Sequence, residues 1–295
     1  MKLTNFSFLL IISAILFSCE KTINFQPKPV EAKLVVEATI ENNQPPTVFL
    51  SKSLGFFSEI DPVALQNSFV HNAHIVISNG VLSHQLKEYA VPIGNGYNIY
   101  YYSIDSSNLA TSFVGQLDHA YSLSIQAEGK TYTATTTIPR ITKQVDSIFW
   151  QPAPPGNDSD DVAVMSRVTD PQPFGDYIRY FTRRNREPFY APFTSAFDDQ
   201  LINGTTYTVQ VERGWDRNFT SIDHSSYFKK GDTVTVKLCN IDKATFEFWR
   251  TLEYSYANLG NPFATPTTVL SNIHDNALGY FGGYAAQFRT ILIPK

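Results

Sequence analysis

Short runs of β-branched and aromatic residues, separated by turn signals about every 8 to 12 residues, recur from Leu34 onward. Leu34–Ile40 (LVVEATI) is followed by the turn Glu41–Pro46 and the run Thr47–Leu50. Ala73–Ser78 ends at Asn79-Gly80, a hairpin signal because both residues tolerate positive φ. Gly96–Tyr102 is another such run. Tyr121–Ala127 alternates, turns at Glu128-Gly129-Lys130 and resumes as Thr131–Ile138. Alternation of period two is the mark of a strand with one buried face. A chain built this way folds as packed sheets rather than as βαβ units. The first block, 34–140, therefore reads as an immunoglobulin-like β-sandwich domain closed by Pro139.

A second β-rich block, 141–295, begins with ITKQVDSIFW. Residues 151–161 have loop composition. Strands are expected over Ala163–Thr169, Tyr177–Arg183, Thr206–Glu212, Thr233–Cys239 and, closing the chain, Gln287–Ile293. One helix is expected near 242–259. Asp242 can cap it, Phe246, Trp249, Leu252, Tyr256 and Leu259 form an apolar stripe, and Gly260 and Pro262 stop it. Such a stripe normally faces a core. No internal repeat relates the two blocks.

The N-terminus has a different character. Lys2 is followed by the apolar run Phe6–Phe17, too short to span a bilayer but suited to a secretory signal peptide. Leu16-Phe17-Ser18-Cys19 resembles a bacterial lipobox. On that resemblance 1–18 is a lipoprotein signal peptide and Cys19 is the lipidated first residue of the processed chain. Residues 19–33, with Pro27 and Pro29, read as an extended tether. With Cys19 lipidated, Cys239 is the remaining thiol, and its alternating surroundings suit a buried, inert strand residue. Acyl chains would hold the body at a membrane surface. Net charge is −4, which argues against a nucleic-acid partner.

Residues capable of chemistry are scattered. The histidines 71, 74, 84, 119, 224 and 274 form no HExxH pair. His71 and His74 would face opposite sides of a strand. Asp118-His119, Asp223-His224 and His274-Asp275 are neighbours, but no G-x-S-x-G selects a serine nucleophile to go with them. Asn157–Asp161 places three carboxylates in five residues without the glycine and glutamate of an EF-hand loop, and Asp198-Asp199 is a weaker pair. Both read as solvated acidic groups. Arg179, Arg183, Arg184 and Arg186, beside Tyr180 and Phe181, are the best candidate ligand or partner patch. Gly279–Gly283 lacks the lysine of a phosphate loop and reads as a tight turn that buries Tyr280, Phe281 and Tyr284. Asn203-Gly-Thr205 and Asn218-Phe-Thr220 match glycosylation acceptors that carry no weight in a bacterial lipoprotein. Asp146-Ser-Ile148 and Asp232-Thr-Val234 resemble the O-glycosylation motif of Bacteroidota. No catalytic, metal or cofactor site is expected from these motifs.

Leu34-Val-Val-Glu37, Asn72–Ile77, Gly129–Ala134 before Ile138-Pro139, and Val145–Ile148 recur in one arrangement with later segments. Those are Val236–Asp242 leading to Phe248-Trp249, Asn261-Pro-Phe263, Ser271–Ile273 and Ala277–Phe281. In order and spacing this resembles domain-of-unknown-function family 4249, a family of Bacteroidota outer-membrane lipoproteins. The resemblance implies an outer-membrane address on either leaflet and, through frequent genetic neighbourhood, a TonB-dependent receptor as partner. It implies no activity and carries over no catalytic residue. The expectation is a non-enzymatic accessory or binding subunit. The alternatives are a surface glycan-binding or adhesin module, and a hydrolase with an unrecognised site.

Overall fold

A computed structural model describes residues 31–55, 61–217, 226–261, 263–265 and 267–295. The signal peptide, Cys19, the tether up to residue 30, Asn218–Thr220 and Asp223-His224 lie outside the described residues. The chain is mainly β. Its strands are β1 (Leu34–Glu41), β2 (Thr47–Lys52), β3 (His74–Ser78), β4 (Ser83–Gly94), β5 (Tyr97–Ile104), β6 (His119–Ala127) and β7 (Lys130–Ile138). There follow β8 (Gln144–Pro152), β9 (Asp161–Thr169), β10 (Tyr177–Arg184), β11 (Ala196–Phe197), β12 (Thr206–Val211), β13 (Phe228–Lys229), β14 (Thr233–Ile241) and β15 (Leu278–Leu292). The helices are α1 (Pro62–Ser68) and α2 (Lys243–Ala257).

Eleven strands form one path, β11-β10-β14-β15-β1-β2-β5-β4-β3-β6-β7. In a smaller sheet, β9 pairs with β8 and also with β12 and β13. Strands β1–β7 belong to the block 34–140, and the small sheet is drawn wholly from 141–295. The two blocks share the large sheet through the parallel pairing of β1 with β15, from Val35↔Leu278 to Glu41↔Tyr284. Ala32–Lys295 cluster as one unit.

Alternation explains the layers. In β1, Val36, Ala38 and Ile40 are fully buried in the first core, with Ile75, Ile77, Leu123, Ile125, Ile138, Phe281 and Ala285 from facing strands. This is a sandwich core, because the path folds back until β7 lies on β15. A side chain at Gly283 would stand 2.4 Å from the Thr137 carbonyl oxygen. In β14, Val234 and Val236 face the small sheet, whereas Cys239 and Ile241 face α2. Each burial of a Val- or Ile-sized side chain contributes about 1.5–3 kcal/mol.

Helix α2 occupies the expected place. The Asp242 side chain accepts from the Thr245 N–H at 2.8 Å, and its other oxygen accepts from Thr136 and from the Thr137 N–H. The cap therefore also ties the helix to β7. The stripe departs from expectation at its end. Phe246, Trp249 and Leu252 pack on the sheet together with Phe248, but Tyr256 and Leu259 are exposed.

Other elements also depart from the sequence reading. The Gly279–Gly283 segment is not a tight turn: it runs inside β15, the longest strand together with its closing run. Glycine is required there because β1 comes too close for a side chain. A Cβ at Gly279 would meet the Val36 carbonyl oxygen at 1.9 Å, and its φ is +97°. The reading did not anticipate β4, β8 or α1. Helix α1 is capped by Asp61, whose side chain accepts from the Ala64 N–H, and has Pro62 at its first position. Among the described residues no helix is long and apolar enough to cross a membrane.

Candidate functional site

The same alternation that builds the first core builds a cleft on the opposite face. Glu37, Thr39 and Glu41 project from β1 between its buried aliphatics. Adjacent strands add Tyr280 and Tyr284 from β15, Lys237 from β14, and Arg179 and Phe181 from β10. Trp249 of α2 and the segments 189–191 and 215–217 complete a cavity of about 440 Å³. That lies within the usual range of ligand pockets, roughly 300–1,000 Å³.

Its walls are held firmly. Arg179 is 5% exposed and donates from Nε to Ser195 Oγ at 3.0 Å. Its guanidinium carbon lies 4.6 Å from the Phe181 ring centroid and lies close over Trp249. Trp249 Nε1 donates to Tyr284 Oη at 2.9 Å, and Tyr284 donates to Tyr280 at 3.3 Å. Buried Glu253 anchors this network by accepting from the Ser195 hydroxyl and its N–H. Burial holds the Tyr280 and Tyr284 hydroxyls above the ordinary phenol range, so both stay protonated. Gly214 lets its loop press on the opposite segment, since a Cβ there would lie 1.9 Å from the Tyr190 carbonyl oxygen. The Gly214 N–H donates to Thr182 Oγ1 at 2.7 Å.

Charges in the cleft are mostly answered. Lys237 pairs with Glu41 and lies 5.4–5.9 Å from the rings of Phe181, Phe189 and Phe288. Tyr190 donates to Asp216 at 3.2 Å. Arg217 donates to the Pro192 carbonyl at 3.0 Å. Glu37 differs: its carboxylate reaches solvent, yet crowding by protein raises its pKa, an effect only partly offset by Arg179. It is an acceptor with no hydrogen-bond donor or ion-pair partner among the described residues. A carboxylate in this setting, beside aromatic rings and fixed cations, suits noncovalent recognition of a polar ligand.

The arginine patch expected from sequence divides. Arg179 enters the cleft wall, Arg184 pairs with Glu187, and Arg183 lies 4.6 Å from the Phe189 ring. Among the described residues the histidines do not converge. His71 bonds Glu88, His84 is buried against Thr111, and His119 bonds the Asn79 carbonyl. Asp118 pairs with Arg140 rather than with His119, and the His274 N–H donates to Thr133. The acidic loop is neutralised locally: Lys229 reaches Asp161 at 2.7 Å and Asp158 at 3.0 Å, and Lys230 reaches Asp160 at 3.8 Å. Asp199 joins Asp170 and Asp176 in a carboxylate trio served from within. Lys143 lies 2.6 Å from Asp170, and Asp199 accepts from the N–H groups of Gly175 and Asp176. Asp146 accepts from Thr169, and Asp232 is buried in a turn. Cys239 is fully buried, as expected, and burial pushes its thiol pKa up to about 12.

The described residues form a β-rich scaffold crossed by one substantial helix, with an aromatic- and charge-lined cleft on one face. The chain belongs to the family described as Domain of unknown function (DUF4249), whose model matches residues 20–290. A search of the curated proteins found no match to it.

Proposed function

We propose that this chain is an outer-membrane lipoprotein, anchored through Cys19, that serves as a non-enzymatic binding subunit for a TonB-dependent receptor, with the Glu37 cleft as its recognition surface. The observation that carries the binding reading is the composition of the cleft. It offers an unpartnered carboxylate, fixed cations and aromatic rings. The receptor partner and the membrane address rest on the lipobox and on the family resemblance. Lipid anchoring would confine the body to two dimensions and raise its effective concentration at the receptor, so modest contacts would suffice.

The test is an affinity pull-down of the lipidated protein from detergent-solubilised native outer membranes, read by mass spectrometry. The expected result is stoichiometric co-purification of a TonB-dependent receptor, with loss of membrane association in Cys19→Ala and a weakened complex in Glu37→Lys. Recovery of the protein alone would overturn the receptor reading.

A second reading, a glycan-binding module, is favoured by the partly exposed rings of Phe189, Tyr190 and Trp215 around the free Glu37 carboxylate. Rings offer stacking surface to sugar C–H faces, and a carboxylate accepts from hydroxyls. A glycan-array screen distinguishes it, with Trp215→Ala as the control that must abolish any signal.

A further inference from the structure

A second cavity lies on the other face of β10 and β14, against the small sheet. Its volume is about 370 Å³, and it is lined by Val168, Ile178, Val209, Val211, Val236 and Leu238. Aliphatic side chains between two sheets normally interdigitate until the space closes. Here they leave room for a ligand.

Two polar groups mark the cavity. Ser166 is 3% exposed, lines the wall, and its hydroxyl has no hydrogen-bond partner. A buried hydroxyl left in this state is costly and calls for an explanation. Arg250 lines the cavity from α2, one turn beyond Phe246, over whose ring its guanidinium lies at 5.5 Å. Its side chain is exposed, and no carboxylate pairs with it among the described residues. Phe197, Asp198 and Leu201 line the same region, and Leu201 is 97% exposed.

We infer that this cavity binds a medium-chain acyl anion. The alkyl tail would fill the aliphatic space between the sheets, and the carboxylate would meet Arg250. The volume lies at the low end for ligand pockets, which suits a single chain rather than a two-chain lipid. A guanidinium matches a carboxylate in a planar fork, and Arg250 is in no salt bridge with Asp198, the acid that shares the lining. This inference is independent of the Glu37 cleft, which lies on the opposite face of the sheet.

The test is calorimetric titration of the full chain carrying Cys19→Ala, so that no attached lipid competes, with octanoate, decanoate and decanol. The expected result is saturable one-to-one binding of decanoate, about fourfold tighter for each methylene added from octanoate. Decanoate should bind about three- to fivefold tighter than decanol at low salt, the range of an exposed ion pair. Arg250→Ala should erase that preference and Arg250→Glu invert it, while Val209→Trp should block binding of both. Absence of saturable binding by the folded protein would overturn the inference. So would binding that persists in Val209→Trp, or a decanoate preference that survives in Arg250→Ala. Arg250 and Val209 are exposed enough that both variants should fold, which circular dichroism would verify.

Discussion

The guanidinium of Arg179 is stacked on the indole of Trp249, and together they close one wall of the cleft. Arg179 also donates to Ser195, which in turn donates to the buried carboxylate of Glu253. One planar cation thus stacks and directs hydrogen bonds at the same time. Lysine, a point charge without a planar fork, cannot do both at once in that geometry. Arg179→Lys is expected to lower stability by about 2–3 kcal/mol, since it removes the fixed donor to Ser195 Oγ and the planar cation stacked on Trp249. Trp249→Phe, which removes the donor to Tyr284, should cost about 1 kcal/mol. Urea unfolding of the two variants checks both values.

Lys143 and Asp170 form an ion pair in which both side chains are wholly buried. Removing one member strands the other charge. Lys143→Met or Asp170→Leu alone should cost about 3–5 kcal/mol, whereas the double variant should recover much of that loss. A double-mutant cycle by urea unfolding measures the coupling. A loss in the double variant equal to the sum of the two single losses would show that the pair is not coupled.

His84 is 1% exposed, its Nδ1 faces Thr111, and its Nε2 accepts from the Asp105 N–H. That N–H requires an unprotonated Nε2, and burial lowers the His84 pKa, with Asp105 opposing only in part. The folded form therefore resists protonation while the unfolded chain titrates near pH 6.5. Stability contributed here is complete above that value and is lost as pH falls toward the lower folded pKa. The urea midpoint should drop between pH 7 and pH 5, and His84→Gln should flatten that dependence.

Glu37 titrates with the opposite sign. Crowding by the surrounding protein raises its folded pKa, so the charged form penalises the native state from the unfolded pKa upward and fully above the folded one. Glu37→Gln should therefore be more stable than the parent protein at pH 7. The gain should shrink as pH falls through the folded pKa and vanish below the unfolded value of about 4.3. Melting temperatures at pH 7 and pH 4 supply the comparison. An equal difference at both would remove Glu37 titration as the cause.

Gly279→Ala should be among the most damaging small substitutions in the chain. The added methyl would strike the Val36 carbonyl of β1, at a residue whose φ already disfavours any side chain. Strain and overpacking together should cost roughly 3 kcal/mol or more. Gly80→Ala, where a Cβ meets open space, should cost less despite its positive φ. Thermal unfolding of the two variants side by side tests the contrast.

Strands with one buried face were legible. Tyr121–Ala127 and Thr131–Ile138 alternate because every second residue enters the first core. Strand β4 was not, since beyond Leu86 it has no buried position and carries Pro92, so it offers no periodic apolar signal. The first half of β15 was misread because its glycines serve a close approach by β1, and a distant backbone leaves no local trace. The same limit applies to the cleft. The polar residues at 37, 39 and 41 announce a solvent-facing strand surface. Nothing near them in sequence says that Arg179, Lys237 and Tyr284 lie across from it. Arg179 was recognised as a candidate, but the run of arginines around it concealed that its neighbours point elsewhere. Ser166 and Arg250 gave no signal, because a cavity between sheets depends on what fails to fill it.

The pairing of β1 with β15 also governs the order in which the molecule can be assembled. Strand β1 finds one of its two edges filled only by β15, about 240 residues later in the chain. Contacts that far apart in sequence slow folding, because a long loop must close before they form. Until Leu278–Leu292 is made, β1 presents an open edge that any passing strand could occupy. The time between the synthesis of Leu34 and that of Leu292 is thus the interval in which this chain most needs a chaperone.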